Sequence, residues 1–168
     1  MKPITWVVFT SVLAVYFLNY FVLNAQNYSE TDVQRLILIA EQAVTKKNFH
    51  KAISIFNDLI EFQKRHVSGD VLGPMQLLQK AFAEYNVNEW EQVIESLAAL
   101  QNHRIPREKE LLAKKMLAHS LIKIEKFAEA SSIIEEIKSI EDSKMPSIDF
   151  LPDITSKSLH DLILKAGK

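Results

Sequence analysis

Apolar residues are arranged along the chain in two different ways. The first is an uninterrupted run, because no charged residue lies between Pro3 and Ala25. About twenty helical residues, rising about 1.5 Å each, cross a hydrocarbon core of roughly 30 Å. We therefore predict an N-terminal anchor, residues 1–28, in which residues 4–23 form a single transmembrane helix.

Two alternatives to an uncleaved anchor are open. A secretory signal peptide usually has an apolar part of about 7–15 residues and small residues before its cleavage site. This run is longer, and Leu23 stands before the one plausible cut, after Ala25. A buried helix of a soluble domain is the second alternative. Lys2 and Glu30 flank the run, so the positive-inside bias predicts a cytoplasmic N-terminus and a periplasmic, extracytoplasmic domain.

The second arrangement is a pattern that occurs three times. It starts at a small residue, Ala40, Ala81 or Ala118. An aromatic residue follows nine positions later, Ala or Val twelve positions later, and large apolar residues sixteen and nineteen positions later. These residues are Phe49, Trp90 and Phe127; Ala52, Val93 and Ala130; Phe56, Leu97 and Ile134; and Leu59, Leu100 and Ile137. Agreement at fixed offsets indicates an internal repeat.

Each copy is predicted to be a pair of helices joined by a short polar turn. Ala52, Phe56 and Leu59 lie at i, i+4 and i+7, which is one face of a helix with 3.6 residues per turn. A hairpin of this kind cannot bury its apolar face alone, so consecutive copies are expected to stack as a solenoid. We predict an all-α fold with three hairpins in residues 29–140, after the transmembrane helix.

The repeat resembles the tetratricopeptide repeat in its small residue, its aromatic residue nine positions later, and the small and large apolar residues beyond. The resemblance covers residues 32–140. The family period is 34 residues, whereas the three aromatic residues are 41 and 37 residues apart. Lys80, Glu84 and Lys114 occupy positions that the family usually fills with apolar residues, which predicts that the second copy is rotated or tilted.

Residues 141–168 are predicted to form a proline-containing tether and a last helix. The segment SLHDLILKAGK begins at Ser158 or at an upstream Ser or Thr. Leu159, Leu162 and Ile163 form one apolar face, which is expected to cap the third hairpin, as the ends of solenoids require. The alternative is that this tail binds another molecule.

Composition and motifs give no indication of catalysis. The chain has no Cys, and its net charge of −1 does not attract nucleic acid as a whole. The five His residues form no HxxxH or HExxH pair, and the three Gly residues form no phosphate-binding loop. We predict that the protein is not an enzyme and uses no cofactor, no metal and no small-molecule substrate.

Binding of other proteins is therefore the predicted activity. In the tetratricopeptide family the first helix of each copy lines the concave surface, and the resemblance implies a set of candidate residues. They are Ile37, Glu41, Leu78, Phe82, Tyr85, Lys115, His119 and Ile122. The function expected is that of a membrane-anchored interaction scaffold or adaptor in secretion or envelope assembly. If the second copy is rotated, Phe82 and Tyr85 belong to the core instead. A structural subunit held in a membrane complex mainly through its transmembrane helix is the alternative function.

Overall fold

The secondary structure of the described residues consists of α-helices joined by turns and short loops. This computed structural model describes residues 30–66, 71–100, 103–141 and 155–166. In these ranges there are seven α-helices and no strand. The helices are α1 (Glu30–Thr45), α2 (Phe49–His66), α3 (Pro74–Asn86), α4 (Trp90–Leu100), α5 (Arg107–Lys123), α6 (Phe127–Glu141) and α7 (Ser156–Ala166). The predicted all-α fold class is confirmed.

The predicted membrane anchor, residues 1–28, lies outside the described residues. Among the helices that the structure does describe, none is long and apolar enough to cross a membrane. The chain divides into two compact units, residues 1–34 and 35–168. Only the first residues of α1 are described in the first unit, so the packing discussed below is that of the second unit.

The turns inside the three helical hairpins share one backbone geometry. Lys47, Asn88 and Glu125 have left-handed backbone conformations, with φ angles of 58°, 63° and 63°. In the third turn the amide of Glu125 donates to the Ile122 carbonyl, and the amide of Lys126 donates to the Leu121 carbonyl. This is the Schellman motif, which satisfies carbonyls at the end of a helix. The equivalent bonds are Lys47 to Val44 and Asn48 to Ala43 in the first turn, and Asn88 to Tyr85 and Glu89 to Glu84 in the second.

The residue that ends each turn also begins the next helix. The carbonyls of Asn48, Glu89 and Lys126 accept hydrogen bonds from the amides four residues later, at 3.0–3.1 Å. One helix therefore ends and the next begins within three residues. A connection this short places the two helices of a hairpin side by side and antiparallel.

The repeated apolar positions form the core. The small residues Ala40, Ala81 and Ala118 are fully buried, and so are Ala52, Val93 and Ala130 twelve positions later. The large apolar residues sixteen and nineteen positions after each small residue are also buried. A side chain no larger than a methyl group at the first position lets the second helix approach closely. Because all three hairpins bury the same positions, the predicted rotation of the second copy is not observed.

Neighbouring hairpins share core side chains. Met116 lies two positions before Ala118 on α5, yet it belongs to the cluster formed by Leu78, Val93 and Leu97 of the α3–α4 hairpin. Leu117 packs against this cluster and also against the cluster of the α5–α6 hairpin. The third hairpin therefore completes the core of the second, as in proteins built from stacked repeats.

Helix α7 packs against α5 and α6. The Ser158 amide donates to the Thr155 hydroxyl at 3.1 Å and the Thr155 amide donates to the Ser158 hydroxyl at 2.9 Å, so the helix begins with a reciprocal capping box. Leu159 is fully buried in the α5–α6 cluster, and Ile163 packs against it. Leu162, which was expected on the same apolar face, is 37% exposed.

Substitutions at the left-handed turn residues should change the stability of the protein according to how well the new residue adopts a positive φ angle. A left-handed conformation costs a residue with a Cβ atom about 1–2 kcal/mol, and a β-branched residue suffers most. Replacing Glu125 with Val should therefore lower the free energy of unfolding by about 1–2 kcal/mol relative to Glu125→Gly. Urea unfolding followed by circular dichroism measures the difference, and equal stabilities of the two variants would contradict the turn geometry.

Candidate functional site

The eight predicted binding residues differ in exposure. Leu78 is 3% exposed and Ile122 is 8% exposed, and each belongs to a hydrophobic cluster. The prediction that these two residues line an open surface is therefore wrong. They lie three positions before and four positions after the small residue, about 40–60° from it around the helix, where an apolar side chain can turn into the core.

The other six predicted residues are partly exposed. We call them the first-helix face: Ile37, Glu41, Phe82, Tyr85, Lys115 and His119. They come from α1, α3 and α5, the first helices of the three hairpins. Glu41, Phe82 and His119 occupy the same position in their copies, one residue after the small residue.

An aromatic contact between neighbouring hairpins occurs twice at this face. The rings of Phe49 and Phe82 meet edge to face with centroids 6.0 Å apart. The rings of Trp90 and His119 meet in the same way at 5.6 Å. In both pairs the aromatic residue that opens the second helix of one hairpin contacts the residue after the small residue of the next. The two hairpin junctions are therefore built alike, and edge-to-face geometry is favourable for such rings.

Tyr85 joins the second of these contacts to form an aromatic cluster of Tyr85, Trp90 and His119. Its ring centroid lies 5.5 Å from those of both other rings. The Tyr85 hydroxyl is 2.6 Å from Nδ1 of His119. Burial raises the pKa of Tyr85 to about 12, so the phenol keeps its proton and can donate it to this nitrogen.

The His119 ring is suited to accept that hydrogen bond. Burial lowers the pKa of His119, and the positive charge of Lys123 lowers it further. The ring is therefore neutral at pH 7, with a lone pair available on Nδ1. This bond ties α3 to α5. A bond of 2.9 Å from Gln76 Nε2 to Glu41 Oε1 ties α1 to α3 in a similar way.

A second polar feature is enclosed between α3 and α4. Lys80, Glu84 and Ser96 are 7%, 0% and 5% exposed. Lys80 Nζ donates to Glu84 Oε1 and to Ser96 Oγ, the latter at 2.9 Å. Ser96 Oγ donates to Glu84 Oε2 at 2.7 Å. These three residues, the buried network, form a closed ring of hydrogen bonds within the second hairpin.

The same three positions are apolar in the other two hairpins. They hold Ile39, Ala43 and Ile55 in the first copy, and Leu117, Leu121 and Ile133 in the third. Sequence reasoning singled out Lys80 and Glu84 as unusual for the repeat but missed Ser96. The sequence did contain an indication of Ser96. When the second helices of the three copies are aligned, Ser96 stands at the position that Ile occupies in the other two copies.

The buried network carries an electrostatic cost. Burial raises the pKa of Glu84, while hydrogen bonds from Lys80 and Ser96 act in the opposite direction. Removing two opposite charges from water can cost more than their attraction returns. Lys114, the third unusual residue, avoids this cost at the rim of α5 and α6, where it is partly exposed and paired with Glu110 and Glu136.

Metal binding has no support from the described residues. Within residues 30–66, 71–100, 103–141 and 155–166, no group of three His, Asp or Glu side chains could hold a metal ion.

Removing part of the buried network should lower the stability of the protein, whereas replacing the whole network with apolar residues should not. Glu84→Gln leaves the Lys80 charge buried without its counter-charge, which should cost about 3–5 kcal/mol of stability. The triple variant K80I/E84A/S96I installs the residues of the first hairpin and roughly conserves volume, so its stability should equal or exceed wild type by up to about 4 kcal/mol. Urea unfolding compares the free energies of unfolding of the three proteins, and a triple variant clearly less stable than wild type would contradict the cost assigned to the network.

His119 should make stability depend on pH. Its pKa is lower in the folded protein than in the unfolded chain, so its contribution is present above the unfolded value, near 6.5. That contribution is lost as the pH falls through the folded value. The free energy of unfolding should therefore decrease from about pH 7 to about pH 5, and less so in His119→Phe, which carries the residue found at this position in the second hairpin. Identical pH profiles for the two proteins would refute this assignment.

The features described above can be compared only among the three hairpins of this chain. The chain matches no protein-family model, no curated protein and no solved structure. The three hairpins can still be compared with one another, and they agree in turn geometry, buried positions and aromatic junctions. They differ most clearly in the buried network of the second hairpin.

Proposed function

We propose that this protein is a membrane-anchored scaffold that binds other proteins through its first-helix face. The observation that carries the proposal is the alignment of Glu41, Phe82 and His119, which are partly exposed at one position of three consecutive hairpins. A surface that continues from one repeat to the next suits an extended or helical segment of a partner.

The composition and rigidity of the face support this proposal. Phe82 and Tyr85 pack against the core cluster of the second hairpin and leave part of each ring exposed. Aromatic residues are frequent among the side chains that contribute most to protein binding. The Tyr85 to His119 and Gln76 to Glu41 bonds hold the face in place before any partner arrives. A surface that is already ordered loses less conformational entropy on binding.

The rest of the proposal rests on sequence. The apolar run at residues 4–23 would hold the protein in the membrane by a single span, with the helical domain on the periplasmic side. The resemblance to tetratricopeptide proteins supports a role as an adaptor in secretion or envelope assembly. The proposed activity requires no catalysis, no cofactor and no small-molecule substrate.

Crosslinking in native membranes tests the first-helix face. Phe82→Ala and Lys115→Glu should each remove crosslinked partners. Asn86→Arg should do the same, because Asn86 is exposed one turn after Phe82 on α3 and its side chain contacts the Phe82 carbonyl. The matched control is Lys138→Glu on α6, which is exposed and away from the face. Unchanged partners in all three variants, with thermal unfolding that shows an intact fold, would exclude this face.

A structural subunit that interacts mainly through its membrane span is the second candidate function. The uninterrupted apolar sequence favours it, since such a helix can also pack against other helices in the bilayer. Replacing residues 4–23 with an unrelated span separates the two functions. A scaffold that works through its helical domain keeps its partners after the exchange, whereas a subunit held by its span loses its complex.

A further inference from the structure

We infer that the buried network of Lys80, Glu84 and Ser96 is a positioning element that sets the register of α3 against α4 and thereby presents Phe82 and Tyr85 at the first-helix face. Its functional meaning rests on the proposed binding role of that face.

The second hairpin does not need this network for its stability. The first and third hairpins fill the same three positions with apolar residues and form the same turns, cores and junctions. Replacing a buried ion pair with well-packed apolar residues is often neutral or stabilising. A buried polar group can instead specify one arrangement, as a single buried Asn does in coiled coils.

The hydrogen bonds of the network are directional, whereas apolar packing is not. The ring of bonds closes only when Lys80 and Glu84, one turn apart on α3, both face Ser96 on α4. A shift of α3 by one residue would rotate these side chains by about 100° and leave two buried charges without partners. The network therefore disfavours other registers and rotations of α3 relative to α4.

The proposed binding residues of α3 have defined positions relative to the network. Phe82 lies midway between Lys80 and Glu84 in sequence, and is therefore on the opposite side of α3. Tyr85 follows Glu84 directly and reaches His119 Nδ1 on α5 at 2.6 Å. Holding the inner side of α3 in one setting also fixes Phe82 against Phe49 and Tyr85 against His119.

The experiment uses K80I/E84A/S96I in the full chain, with measurements that need no partner. Hydrogen exchange should show that α3 amides exchange at least about tenfold faster than in wild type, even though global stability is not reduced. The NMR titration of His119 should show its pKa rising toward the ordinary value, since a looser α3 exposes the ring. A merely structural network would give exchange that follows global stability and an unchanged His119 titration.

Two further variants sharpen the test. Leu97→Met is the matched control, because it alters packing in α4 beside Ser96 without touching the network, and it should leave both measurements unchanged. Ser96→Ala removes one hydroxyl and keeps the ion pair, so it should give the same changes to a smaller extent and is available if the triple variant does not fold. Wild-type α3 exchange and His119 titration in a folded network variant would overturn the inference.

The outcomes are distinct from those of the proposed function. If crosslinking excludes the first-helix face while α3 exchange and the His119 titration change as expected, the positioning role stands and the binding role fails. If the face binds partners but the network variants leave both measurements unchanged, the binding role stands and the positioning role fails.

Discussion

Close approach of the two helices at a small residue is the constraint on which the rest of the structure depends. Ala40, Ala81 and Ala118 are fully buried, and a larger side chain at these positions would push the second helix away. The distance set there determines how the apolar residues of the second helix interlock and whether a three-residue turn can join the helices. The left-handed residue in each turn accepts an unfavourable backbone conformation so that the chain can reverse within that length.

The three stacked hairpins share one structure, and the second differs from the others in its buried network. Met116 and Leu117 show that the third hairpin contributes apolar side chains to the core of the second. The edge-to-face pairs Phe49–Phe82 and Trp90–His119 show that the two hairpin junctions have similar aromatic contacts. Against this regular background, the second hairpin replaces three apolar positions with charged and hydroxyl groups. Because those groups need partners in defined directions, the second hairpin gains an orientation that apolar packing alone does not specify.

Much of the fold could be predicted because the buried positions of a helical hairpin recur at the 3.6-residue period of the α-helix. The small and large apolar positions of all three copies were identified from spacing alone, and the structure buries them. The candidate surface was predicted less well. Leu78 and Ile122 stand at the border of the apolar face, where the sequence pattern does not determine the side to which a side chain turns. Ser96 was missed because one Ser on a helix has no significance until its neighbours across the hairpin are known.

The sequence by itself determined the helical class, the repeated hairpin and the positions of its core, because these depend on periodicity and residue size, which are local properties. Only the tertiary structure decided which polar residues meet. The Tyr85 hydroxyl bonds to Nδ1 of His119, 34 residues further along the chain, and Lys80 Nζ donates to Ser96 Oγ in the other helix of its hairpin. Such pairs depend on the register and rotation of packed helices. Those quantities arise from all the contacts together, so no single stretch of sequence encodes them.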